Sequence, residues 1–136
     1  VRLIIEGNPI PLQRARSSKG RFYDSQFEAK KNFAFEVKDQ FSKDKVNRHI
    51  INKLPFKQPV ELNVQFYFQM PKSWSEKKKV RLNGTPHTAR KDLDNLIKWV
   101  GDVLNEIVWE DDAQIWSITS CKTWSYEGLT IIDFTE

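Results

Sequence analysis

One cysteine, Cys121, occurs in 136 residues. No internal disulfide can form, so packing and hydrogen bonding must hold the fold, and a reducing compartment is expected. A lone cysteine in a probable strand reads as buried, inert packing. Five glycines and six prolines are too few for a low-complexity linker, and no internal repeat is visible. No apolar run approaches the ~18 residues of a membrane span, and no signal peptide is evident. These absences point to a soluble, cytoplasmic, single-domain protein over residues 1–136.

The chain does have apolar and aromatic residues, 39% and 12% of it, enough for a real core in one domain of this size. Its net charge of +4 suits an anionic partner without requiring one. The distribution of charge is more telling than the total. Arg14, Arg16, Lys19 and Arg21 cluster without an acid between Gln13 and Phe22. Lys72, Lys77, Lys78, Lys79, Arg81, Arg90 and Lys91 face a single acid, Glu76, between Pro71 and Lys91. Four acids and no base then occupy Glu106 to Asp112. Such segregation is more than a solvated surface needs.

Periodicity predicts the order β-α-β-α-β-β, an α+β domain with a mixed sheet and helices packed on it. Residues 2–6 read as a short strand broken by Gly7-Asn8-Pro9. A basic loop follows. Ser25 and Glu28 have capping-box spacing, and Phe27, Ala34, Val37 and Phe41 would share one helical face. Val60 to Met70 alternates apolar and polar residues without a fault, the pattern of a strand with one buried face. The basic stretch 72–90 reads as a long loop with one helical turn. Leu93, Leu96, Ile97, Val100, Val103, Leu104 and Ile107 recur at helical spacing, with Asp94, Lys98, Asp102 and Asn105 opposite. Two strands, 113–124 and 129–134, close the chain around a turn at Tyr126-Glu127-Gly128.

The acids of the second helix and of the segment after it carry the chemistry. Several carboxylates together hold a hard divalent cation such as Mg²⁺, and flanking Lys and Arg suit a polyanionic substrate. Plain roles exist for each. Asp92 can be an N-cap, Asp94 can favour the helix dipole, and Lys98 can pair with Asp94 on the helix surface. Asp111-Asp112 can be an acidic turn, and a lysine run is commonly a solvated face. His87 reads as a polar loop residue and His49 as a surface one. Trp74, Tyr23 and Phe22 read as core packing before base stacking.

The run Asp92-Leu93-Asp94-Asn95-Leu96-Ile97-Lys98, then Asp102, then Asp111-Asp112-Ala113-Gln114, closely resembles the signature of the RusA family of Holliday-junction resolvases. Gly7-Asn8-Pro9-Ile10-Pro11 with Arg14 and Arg16, and Lys122 eight residues after Gln114, extend the resemblance over nearly the whole chain. Many members carry Lys-Pro before the first Asp, where this chain has Arg90-Lys91; no ligand position is lost. The resemblance implies a homodimeric endonuclease that nicks opposed strands of four-way DNA junctions in recombination and repair. It implies Mg²⁺, with Mn²⁺ able to substitute, and no small-molecule cofactor. Asp92, Asp94 and Asp112 would be the essential acids and metal ligands and Lys98 the essential lysine. Asp111 is left as ligand, second partner or turn residue, and the two basic clusters would grip phosphates.

Geometry sets one difficulty. A helix from Asp92 to Asn105 is about 20 Å long, and the seven residues to Asp112 span at most about 23 Å. Asp112 is therefore expected either to return along the helix to Asp92 and Asp94, the preferred reading, or to meet those of a second subunit. Three other functions compete: a broader flap or fork nuclease, a DNA-binding module without catalysis, and a structural protein whose acids are caps and ion pairs.

Overall fold

A computed structural model describes residues 1–13, 16–18 and 20–136. The elements run β1 (Arg2–Glu6), β2 (Arg16–Ser18), β3 (Arg21–Tyr23), α1 (Phe27–Lys43), α2 (Arg48–Ile51), β4 (Val60–Gln69), α3 (Glu76–Leu82) and α4 (Leu93–Leu104). A 3₁₀ turn (Asp112–Gln114), β5 (Ile115–Ser125) and β6 (Leu129–Thr135) complete the chain. Four strands form one mixed sheet in the order β1-β6-β4-β5, antiparallel except for the β4–β5 pair. Parallel neighbours need a long crossover, and that crossover carries α3 and α4.

The alternation of β4 does what its sequence predicts. Val60, Leu62, Val64, Phe66 and Phe68 are buried on one face, where they meet Leu3 and Ile5 of β1, Ile132 and Phe134 of β6, and the two long helices. Phe33 of α1 meets Trp99 of α4 edge to face at 6.2 Å, and Phe41 meets Phe134 of β6 at 6.1 Å. The fold is thus a single two-layer α+β domain.

Several expectations are corrected. The first basic loop contains the β2–β3 hairpin, with Ser18 opposite Arg21, and the second contains α3, capped by the Ser75 hydroxyl accepting from the Lys78 amide. Ser25 does not cap α1: that helix begins after Gln26, and the Ser25 hydroxyl turns to Gln13. Phe27 is 62% exposed, and Phe33 takes its expected place in the core beside Val37 and Phe41. Steps of four set Phe33, Val37 and Phe41 on one buried stripe. Helix α4 stops at Leu104, before Ile107, because Glu106 adopts φ 69° and turns the chain. Cys121 is exposed, on the edge strand β5.

The opening Gly7-Asn8 fixes the sheet rather than the chemistry. The Gly7 amide donates to the Gly128 carbonyl at 3.0 Å, and the Gln69 amide donates to Asn8 Oδ1 at 2.9 Å. A Cβ on Gly128 would overlap Asn8, standing 2.7 Å from its nitrogen and 2.8 Å from its Cα. Glycine at 128 lets the two turns touch.

The two sheet edges are managed differently. At β1 the Gln40 amide of α1 donates to the Ile4 carbonyl at 2.6 Å and accepts from the Ile4 amide at 3.1 Å, covering the strand. At β5 the segment 84–87 lies along the second half, with backbone bonds joining Gly84 and Thr85 to Trp124 and His87 to Lys122. Its first half carries an irregularity at Trp116, which is 69% exposed.

Candidate active site

Helix α4 presents one outward line, Asp94, Lys98 and Gly101, at steps of four and three; Asn105, expected on the same face, lies past the helix end with its side-chain oxygen buried. The other side of the helix is buried through Leu96, Trp99, Val100, Val103 and Leu104, so the line is forced outward. Asp92 occupies the N-cap position, but its side chain makes no capping bond. Its carbonyl takes the Asn95 and Leu96 amides at 3.1 and 3.2 Å. The carboxylate is therefore left for other work. Lys98 Nζ stands 3.9 Å from Asp94 Oδ2, both groups largely exposed at 63% and 70%. A pair this long and wet is worth little to stability, so both are available to a ligand.

Asp112 arrives beside the same line. After the turn at Glu106 the chain doubles back, with the Glu106 amide bonded to the Trp109 carbonyl at 2.7 Å. It is then drawn sideways onto Phe56, whose amide donates to the Val108 carbonyl at 2.8 Å. Trp109 is fully buried, and its indole Nε1 donates to Asp112 Oδ1 at 2.7 Å. Both Asp112 oxygens end 3.9 Å from where a Cβ on Gly101 would sit. Asp112 thus reaches the Gly101 level of α4, about 10 Å of helix rise from Asp94. Bonding to Phe56 and burial of Trp109 stop the return short of Asp92 and Asp94.

Two adjoining clefts connect these groups. One, of about 340 Å³, is lined by Lys98, Gly101, Asp102 and Asp112 with Leu12, Leu62, Ile97, Ile115 and Ile118. The other, of about 430 Å³, is lined by Asp94, Asn95 and Lys98 with Leu12 and Gln13. Lys98 and Leu12 border both. Leu12 is held there by its amide donating to the Asn95 carbonyl at 2.9 Å, and Gln26, nearly buried, ties down its neighbours Pro11 and Gln13.

Asp111 and Asp102 have other partners. Asp111 Oδ1 caps the 3₁₀ turn by accepting the Ala113 amide, while the Gln114 side chain takes the Asp111 amide and also donates to the Phe56 and Gln58 carbonyls. Asp102 pairs at 2.8 Å with Lys30 of α1, which also holds Asp24 at 2.6 Å. Burial works to lower the Lys30 pKa, but hydrogen bonds to Asp102 and Asp24 outweigh it and raise the value.

The donors facing the clefts are carboxylate oxygens, the chemistry a hard divalent cation selects. Their type fits such an ion. Their spacing is open: among the described residues no three Asp, Glu, His or Cys side chains converge on one point.

Arg14 and Lys19 lie outside the described residues, and Arg16 and Arg21 stand on the two strands of the hairpin. Lys72, Lys77, Arg81, Arg90 and Lys91 are exposed. Lys79 pairs with Glu76 at 3.6 Å, and Lys78 lies 4.2 Å over the Trp74 ring. Trp74 itself packs on Trp124, and Trp124 on His87. His87 is 4% exposed, stacked on Phe68 at 4.2 Å, so it is a core histidine and not a polar loop one. Burial, and then the nearby Lys122 charge, hold its pKa below the ordinary value of 6.5. Three supporting residues have no distinct sequence signal: Trp109, Lys30 and Gln26 look like any core tryptophan, surface lysine or helix-start glutamine.

No helix of the described residues is long and apolar enough to cross a membrane. Among curated proteins, the chain is similar to "Uncharacterized protein YqaN" of Bacillus subtilis (strain 168), 36% identical over 73 residues. That alignment spans 51% of this chain and 51% of the relative, about half the length of each. The family model described as "Endodeoxyribonuclease RusA" matches residues 6–133, from the end of β1 into β6 and across every cleft residue named above. The chain belongs to the RusA endodeoxyribonuclease family.

Proposed function

We propose that this protein is a Mg²⁺-dependent, structure-specific endodeoxyribonuclease that resolves four-way DNA junctions by paired nicks, as a homodimer in the cytoplasm during recombination and repair. The observation that carries the reading is the shared line of Asp94, Lys98 and Asp112 along α4, with Asp92 uncommitted at its N-cap. Asp92 and Asp94 at one end of the line and Asp112 at the other are the carboxylates that would hold Mg²⁺ or Mn²⁺, which would supply charge neutralisation at the scissile phosphate and a more acidic water. Lys98, bordering both clefts, holds a non-bridging phosphate oxygen as negative charge builds there. Water adds to phosphorus, the bond to the 3′-oxygen breaks, and that oxygen leaves with a proton. The bond from the Ala113 amide to Asp111 Oδ1 favours a role for Asp111 in shaping the turn that carries Asp112.

The basic residues grip the backbone of the arms: Arg14, Arg16, Lys19 and Arg21 of the first basic cluster, Lys72, Lys77, Lys78, Lys79 and Arg81 around α3, and Arg90 and Lys91 at the approach to Asp92. Phosphate contacts of this kind position the substrate and carry little sequence information. Cleavage of a mobile four-way junction should be compared with duplex, fork, flap and single strand, with Asp94→Asn alongside. The variant is expected to bind the junction at least as tightly as wild type and to cut nothing. Normal cutting by Asp94→Asn, or no cutting of branched DNA by wild type, would overturn the reading. Equal cutting of forks and flaps would favour a broader branched-DNA nuclease.

A further inference from the structure

Lys122 lies on β5, opposite Phe66 of β4. Its ammonium donates to the Lys91 carbonyl at 2.8 Å and to the Ala89 carbonyl at 3.3 Å, across 31 and 33 residues of sequence. No carboxylate among the described residues stands within 4.0 Å of it. The Lys91 carbonyl is the last before Asp92, and the Ala89 carbonyl lies two residues earlier. Lys91 adopts φ 105°, a left-handed conformation unfavourable for a residue with a Cβ. Among the described residues no other hydrogen bond reaches Ala89, Arg90 or Lys91.

We propose that Lys122 is a positioning residue for Asp92: by clamping the carbonyls of Ala89 and Lys91 it holds the left-handed turn that aims the Asp92 carboxylate. The link is a rigid one. The Lys91 carbonyl and the Asp92 amide belong to one planar peptide, so fixing the oxygen fixes the plane from which Asp92 departs. Helix α4 fixes Asp92 on its other side through the bonds from Asn95 and Leu96. Between these anchors Asp92 has little freedom. With the clamp gone, Lys91 relaxes toward negative φ and the carboxylate swings from its place. The role of Asp92 as a cation ligand rests on the proposed nuclease function; the clamp on its backbone does not.

The test compares Lys122→Met and Lys122→Arg with the wild type, and Lys91→Gly with Lys91→Gly/Lys122→Met. Junction affinity is measured without divalent ion, cleavage against Mg²⁺ concentration, and the Asp92 amide by ¹H–¹⁵N NMR without DNA. Lys122→Met is expected to bind the junction within about twofold of wild type while needing about tenfold more Mg²⁺, with the Asp92 amide shifted or broadened. Lys122→Arg, which can still donate to both carbonyls, should restore the Mg²⁺ dependence. In the Lys91→Gly background the loss should shrink, because glycine takes positive φ without a steric cost. An unmoved Asp92 amide, an unchanged Mg²⁺ dependence, or parallel losses of binding and cleavage would each overturn the clamp. Should the wild type cut no branched DNA, the nuclease reading falls, and the amide comparison still decides whether Lys122 sets the Asp92 backbone.

Discussion

Trp109 combines two unlike jobs in one side chain. Its ring is fully buried, and its single polar atom emerges against Asp112 at 2.7 Å. A hydrogen bond from an immobile indole restricts the carboxylate to the rotamer that faces Gly101. Trp109→Phe keeps an aromatic ring and removes the donor. It is expected to lower cleavage by about 10–100-fold, as the loss of a partner behind a metal ligand commonly does. The smaller ring also leaves a cavity costing roughly 1–3 kcal/mol, so kcat should be measured well below the melting temperature. His87 makes a prediction of a different kind. Its folded pKa lies below the ordinary 6.5 because burial disfavours the charged ring. The unfolded chain therefore takes up the proton first, so stability is full above about pH 6.5 and falls as the pH drops below it. His87→Phe should stack between Phe68 and Trp124 and flatten the melting temperature over that window. A slope unchanged in the variant would assign the effect to another group.

At the scale of elements, β4 and α4 were legible because each pattern serves one purpose, a buried face against a polar one. Much of the site follows from α4, since helical spacing alone lines up Asp94 and Lys98. What the spacing could not supply was the path from Asn105 to Asp112, set by the bond between Val108 and Phe56, more than fifty residues earlier. The β2–β3 hairpin and α3 were hidden for a simpler reason: both are short and carry basic residues in place of an apolar stripe. The stop at Leu104 was equally hidden, since a non-glycine residue at positive φ, Glu106, leaves no trace in composition. For α3, Lys77→Glu with Arg81→Glu should weaken junction binding and reduce the slope of affinity against salt, leaving cleavage of a saturated complex unchanged. At the turn between β5 and β6, Gly128→Ala should cost about 1–3 kcal/mol through overlap with Asn8, measured by urea unfolding.

For the whole molecule, the question is whether one chain closes its own site. Asp112 and Lys98 line the same cleft of one chain, and the expectation is that Asp92→Asn and Asp112→Asn proteins, mixed and allowed to exchange, stay inactive on a cruciform plasmid. Restored nicking would show instead that each site takes Asp112 from the other subunit. Sedimentation of the wild type should report a dimer, as two opposed cuts require. One further property follows from the strand order. β1 pairs with β6, residue 2 opposite residue 133, while β6 also lines β4. During synthesis, β1, α1 and β4 emerge long before their common neighbour. Until β6 emerges from the ribosome, β1 has no strand to lie against, and Leu3 and Val64 lack Ile132, the partner they share. The sheet of this nuclease therefore closes only once β6 has been made, however early β1 and β4 appear.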